Sequence, residues 1–181
     1  MTIKQRIIDL YGSGFLQRSA LNFDDGEETF DRVLAGKGYR TIVEIGTCRG
    51  CSAAVMAQHC DLVVTFDLQN GRLERIGLPF DRNDLWESLG IENIELVLVD
   101  DDREKKKILD GMQFDFAFID GAHDFDSVQR DFEMVRRCGR VLFHDQIRRH
   151  RPFKKDGVCD FVDTLPQNQI EKLDMFAMWR A

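Results

Sequence analysis

From Tyr39 onward, short apolar runs alternate with amphipathic stretches, and that alternation restricts the chain to very few architectures. Arg40 to Ile45, Leu62 to Phe66, Ile94 to Val99, Phe114 to Ile119 and Arg140 to Phe143 each read as a strand. Ser52 to His59, Arg103 to Leu109 and Asp126 to Arg137 read as helices between them, and an irregular or helical stretch runs up to Leu89. The strands carry apolar runs rather than strict alternation. Both faces of the sheet must then be covered, which is the condition of a parallel sheet flanked by helices. The expected class is α/β, doubly wound and mostly parallel.

Ahead of this core, Ile3, Ile7, Ile8 and Leu10 lie at helical spacing and stop at the Gly12-Ser13-Gly14 cluster. Asp25, three residues before Glu28, announces a second helix with Phe30, Val33 and Leu34 on one face and Gly36 at its end. Beyond the core, Val158 to Leu165 reads as a helix and Ile170 to Trp179 as a strand-like end. The chain has 181 residues and no internal repeat or Pro/Gly/Ser linker. One domain is expected over residues 1–181, with N-terminal helices to 38, a ligand-binding core over 39–146, and a basic loop with a terminal helix and strand over 147–181. A domain of this size buries roughly 70% of its unfolded surface, so it folds without a disulfide or metal staple.

Lys and Arg number 25 against 32 Asp and Glu, a net charge of −7. That balance disfavours a nucleic-acid coat or an anionic membrane surface as partner. The apolar runs are strand-length, far short of the roughly 20 residues of a membrane helix. No signal-type apolar core follows Met1, so a cytoplasmic location is expected. The cysteines number five, an odd set read as reduced thiols. Cys48 and Cys51 form a C-x-x-C, but no second pair at matching spacing supports zinc.

In an open parallel sheet, ligands gather at the carboxyl ends of the strands. The residues there are Glu44-Ile45-Gly46-Thr47-Cys48-Arg49-Gly50, then Asp67, Asp100-Asp101-Asp102, Asp120-Gly121-Ala122-His123 and His144-Asp145-Gln146. Gly46 and Gly50 bracket a turn where backbone must come close to a ligand. Asp67, 23 residues after Glu44 and ending the next strand, is placed to accept the hydroxyl protons of a ribose. The turn is neither G-x-G-x-x-G nor G-x-x-x-x-G-K-[ST], so a nucleoside without a pyrophosphate is favoured. Glu44 would repel phosphate and suits a cationic amino group.

With these features in place, the chain resembles the class I S-adenosylmethionine-dependent methyltransferases, and among them the metal-dependent small-molecule O-methyltransferases. The likeness runs from about Tyr39 to Gln146 and is most specific over FDFAFIDGAHDFDSVQRDFEMVRRCGRVLFHDQ, Phe114 to Gln146. The resemblance implies a Rossmann-like methyltransferase fold and S-adenosyl-L-methionine as cofactor. By that resemblance Glu44, Gly46, Thr47 and Gly50 line its methionine and ribose end, Asp67 holds the ribose hydroxyls, Asp100 or Asp101 lies beside the adenine, and Asp120 borders the cofactor. It also implies a divalent metal held by Asp120, His144 and Asp145.

Many relatives carry an acid where this chain has His144, and imidazole suits manganese, iron or zinc better than magnesium. A borderline metal, a two-carboxylate site completed by water, and no metal all stay open. Without a metal, Asp120 and Asp145 would repel each other unless His144 or a substrate cation balanced them. His123, three residues after Asp120, is the candidate general base, because imidazole titrates near neutral pH. The alternative is that His123 merely caps the next helix.

The expected reaction is methyl transfer to a hydroxyl of a small molecule such as a diol, catechol or sugar. A cofactor-binding module without catalysis and a nicotinamide-dependent oxidoreductase are the rival readings, and a homodimer stays open. The basic run Arg148, Arg149, His150, Arg151, Lys154 and Lys155 is either a solvated loop or a recruiter of an anionic acceptor. Phe153 and Trp179 are candidate pocket walls, although nothing in their spacing requires it.

Overall fold

The computed structural model describes residues 1–16, 19–22, 26–69, 81–146 and 157–181. The basic run from Arg148 to Lys155, Phe153 and the helix signal at Asp25 lie outside the described residues. The helices are α1 Ile3–Tyr11, α2 Gly26–Leu34, α3 Cys51–Met56, α4 Arg82–Ser88, α5 Asp102–Asp110, α6 Phe125–Val135 and α7 Gly157–Val162. The strands are β1 Tyr39–Ile45, β2 Cys60–Leu68, β3 Ile94–Val99, β4 Phe116–Ile119, β5 Arg140–His144, β6 Ile170–Leu173 and β7 Phe176–Arg180.

The strands form one sheet in the order β3-β2-β1-β4-β5-β7-β6. The first five are parallel, and β7 runs antiparallel to both β5 and β6. The strand-like end read from the sequence is therefore a hairpin. Asp174, at φ 50, takes the left-handed conformation that reverses the chain. Asp tolerates that region without the glycine that ordinarily announces such a turn.

Why the strands carry apolar runs rather than strict alternation is visible in the packing. Ile42, Phe116, Phe118, Leu142 and Phe176 face α1, α2 and α3 through Ile7, Phe30 and Ala54. Their neighbours Val43, Ala117, Ile119, Val141, Phe143 and Ala177 face α6 and α7 through Val128, Phe132 and Phe161. The inner residues of β1, β4, β5 and β7 are thus core on one side or the other, while β3, outermost in the sheet, leaves Glu95 and Leu98 exposed. Two sequence readings change. β4 begins at Phe116, and Phe114 sits under the Arg137 guanidinium, 4.6 Å from its ring centre, on the opposite side from Phe116 and Phe118. Trp179 is core rather than pocket wall, edge-on to Phe132 at 5.0 Å.

Sequence order reverses between β1 and β4, so the switch-point crevice opens at the carboxyl ends of those two strands. The N-terminal helices are tied to that region. Glu27 of α2 accepts from the Ile3 and Lys4 amides at the start of α1, and Arg6 of α1 donates to the Leu89 carbonyl after α4 at 2.6 Å. Among the described residues, no helix is long and apolar enough to cross a membrane.

Candidate functional site

The turn after β1 takes three left-handed residues in five, with φ 101 at Gly46, 46 at Cys48 and 76 at Gly50. Both glycines are required by the protein's own backbone and side chains. A Cβ on Gly46 would strike the Asp120 carbonyl and lie 2.7 Å from the Gly121 Cα, so glycine lets the turns after β1 and β4 close on each other. A Cβ on Gly50 would lie 2.7 Å from the Trp86 indole. The C-x-x-C falls inside this turn. Burial pushes both thiols up, Cys51 to about 12, which suits neither a reactive thiolate nor a metal ligand.

Glu44 is fully buried. Its oxygens accept from the Ser52 hydroxyl and, at 2.5 Å, from Thr65, whose oxygen also meets the Thr47 hydroxyl at 2.6 Å. Burial lifts the Glu44 carboxyl to about 8 against the pull of the Ser52 and Thr65 hydroxyls. In place of the cation-facing carboxylate expected from sequence, Glu44 and the buried Thr47 form an internal hydroxyl network that braces the turn.

Asp67, at the carboxyl end of β2, pairs with Arg82 at 2.5 Å. The same guanidinium donates through Nε to the Cys48 carbonyl at 2.6 Å, so one side chain spans the acid and the turn. Trp86, one helical turn on, donates to the Gly50 carbonyl at 2.9 Å. Sequence reasoning missed Arg82, Trp86, Ser52 and Thr65. For the first two, the legible signal was their i, i+4 spacing on one face of a short helix.

After β3 the aspartates divide their work. Asp101 is the N-cap of α5, accepting from the Arg103 and Glu104 amides at 2.8 and 2.9 Å. Asp102 pairs with Lys105 at 2.9 Å and with Arg130 at 3.2 Å. Asp100 is exposed ahead of the cap, and of the two residues expected beside an adenine it is the one whose carboxylate is not committed to capping.

At the ends of β4 and β5, four side chains converge. His144 Nδ1 meets Asp120 at 2.8 Å, His123 Nδ1 meets Asp145 at 2.7 Å, and His123 Nε2 faces Asp120 at 3.4 Å. Asp145 holds φ 62, which turns its carboxylate out of the strand direction. Burial works to raise Asp120, but His144 and His123 overcome it and hold the carboxyl below its usual range. Asp120 and Asp145 lift His123 to about 10, and Asp120 raises His144 against burial. The repulsion between Asp120 and Asp145 is thus balanced by two imidazoles. His123 is not the helix cap, since Asp124 accepts from the Ser127 amide at 3.0 Å in that role. Nor does it titrate near neutral pH in this arrangement, because both of its nitrogens face carboxylates.

A divalent cation needs donors that converge on one point outside themselves. These donors converge on one another. Among the described residues, no group of three or more His, Cys, Asp or Glu is arranged to hold a metal. Asp120, His144 and Asp145 as placed therefore do not fit the expected ion. Arg82 joins the turn to Asp67, and Gly46 of the same turn abuts Asp120 and Gly121.

Solved structures of known proteins share this fold. An O-methyltransferase from Bacillus cereus, solved in complex with SAH, is 16% identical over 99% of this chain and 97% of its own, with a TM-score of 0.66. TomG from Streptomyces achromogenes, an O-methyltransferase solved in complex with SAM, is 18% identical over 86% of this chain and 78% of its own, with a TM-score of 0.63. The methyltransferase PaMTH1 from Podospora anserina, SAH-bound, is 14% identical over 97% and 88%, with a TM-score of 0.64. No curated protein sequence matches. The family pattern described as a methyltransferase domain matches residues 43–146, from within β1 to just past the end of β5, and the chain belongs to that family, the class I S-adenosylmethionine-dependent methyltransferases.

Proposed function

We propose that this methyltransferase moves the methyl group of S-adenosylmethionine to a hydroxyl oxygen of a small molecule. One observation carries the reading. The turn with Asp67 and the Asp120, His123, His144 and Asp145 cluster share one edge of the sheet, and Gly46 abuts Asp120 and Gly121 where the two halves meet. The solved O-methyltransferases of the same fold support oxygen as the acceptor atom.

When bound, the cofactor supplies an electrophilic methyl on a sulfonium, open to in-line displacement. The chain's residues do the placing. Asp67 accepts the ribose hydroxyls, and Asp120, kept ionised by its two imidazoles, favours the positive sulfonium. Asp145 holds His123 by Nδ1, which leaves Nε2, only loosely engaged with Asp120, to turn toward an acceptor hydroxyl. That is the division of labour of an oriented imidazole, one nitrogen anchored and one working. In the ligand-free protein the ring carries both protons, so it acts as base only after releasing one. An acceptor that arrives as an anion is held by the charged ring directly.

The test is transfer of labelled methyl to a panel of diols, catechols, phenols and sugars. His123→Ala is expected to lower turnover about a hundredfold or more while SAH affinity stays within a few-fold. Asp67→Ala is expected to weaken SAH binding first. Equal loss of cofactor binding in both variants would overturn the assignment of roles.

A further inference from the structure

We propose that Arg82 is the positioning residue of the ribose subsite. It fixes Asp67 and the glycine turn relative to each other so that both meet the ribose in one geometry. The inference rests on the reading that Asp67 accepts the ribose hydroxyls, and it adds a residue that the sequence pattern did not mark.

Arg82 is only 12% exposed and Asp67 only 17%, and they meet at 2.5 Å. A carboxylate has about four lone-pair directions. At Asp67, Oδ2 takes Arg82 and Oδ1 takes the Leu68 amide at 2.9 Å. Each oxygen is thus anchored once and keeps a direction for a ribose hydroxyl. The other end of the guanidinium is equally committed, since Nε donates to the Cys48 carbonyl at 2.6 Å. Cys48 sits at φ 46, a conformation that non-glycine residues rarely adopt, and this bond is one of the contacts that hold it.

α4 adds a second bond on the same face. Trp86, 3% exposed, donates to the Gly50 carbonyl, with its indole filling the space beside the Gly50 Cα. Two donors at i and i+4 therefore satisfy two carbonyls of the turn, and one of them also orients the acid. A planar fork can span a carboxylate and a carbonyl at once, whereas an ammonium is a point donor. Preorganised acceptors bind without the ordering cost that a free carboxylate and a loose turn would add.

The experiment is calorimetric titration of Arg82→Gln, Arg82→Lys and Asp67→Asn, beside the parent protein. The probes are S-adenosylhomocysteine and its 2′,3′-dideoxy counterpart. The parent should prefer the ribose form, and Arg82→Gln should lose about tenfold or more of its affinity for that form with much less change for the dideoxy form. Arg82→Lys should recover only part of the loss, and it carries the test if Arg82→Gln fails to fold. Equal weakening for both probes would reduce Arg82 to a fold-stabilising residue and overturn the proposal. Unchanged or tighter binding would also overturn it, by showing that Arg82 competes with the ribose for Asp67. Should Asp67→Asn leave the preference between the probes intact, the underlying reading of Asp67 fails, and the proposal with it.

Discussion

Glu44→Gln offers a direct measurement of the hydroxyl network behind the turn. The native carboxyl ordinarily loses its proton near 4.5, whereas burial in the fold carries it to about 8. Between those values the unfolded chain binds fewer protons at this site than the folded one. Stability therefore falls as pH rises through that window, is fully present below it, and levels off above about 8. Each unit is worth about 1.4 kcal/mol, so the full contribution is of the order of 5 kcal/mol. Glutamine has nearly the same shape and no titration.

At pH 5 the variant should lie within about 1 kcal/mol of the parent, because the Ser52 and Thr65 hydroxyls can turn to accept from the amide. By pH 8 the variant should be the more stable, by up to about 4 kcal/mol. Urea unfolding of the cofactor-free protein at half-unit steps from pH 5 to 9, followed by circular dichroism, reads this difference. Parallel stability curves would refute the reasoning. A variant that falls further behind as pH rises would show that Glu44 is ionised in the fold and held by its two hydroxyls.

Gly50→Ala combines a left-handed φ of 76 with a collision on the Trp86 ring, and should cost about 2 kcal/mol or more on thermal unfolding. Lys105 and Asp131 form an ion pair at 2.6 Å that is 8% and 5% exposed. Lys105→Met alone should destabilise by about 3 kcal/mol, because it leaves a buried aspartate, and the double variant Lys105→Met with Asp131→Leu should regain most of that. Incubation with a chelator should leave methyl transfer within twofold, as expected if Asp120, His144 and Asp145 work through their mutual ion pairs. Loss restored by a single divalent ion would show that the cluster rearranges around a metal.

What the sequence determined by itself is the sheet and its edge. Continuous apolar runs such as Phe116 to Ile119, buried at every residue, can be stable only when covered on both faces, so they reported a parallel sheet without any knowledge of partners. The polar residues after each run then had to fall on one edge. That placed Asp67, Asp120, His123 and Asp145 together, and carried the family resemblance. The terminal hairpin escaped notice because Asp174 turns the chain without a glycine.

Tertiary structure decided the charge states and the pairings. Glu44 looked like a ligand for a cation because an acid at a strand end is ordinarily exposed; only packing buries it against Ser52 and Thr65 and raises its carboxyl. His123 looked like a neutral base, but two carboxylates 25 residues apart in sequence close on it from different strands and keep it charged. Arg82 carried no motif, since its partners Cys48 and Asp67 lie 34 and 15 residues away. Local patterning records which face of an element is apolar. The field felt by a titrating group depends on which elements meet, and only the folded chain brings those elements together.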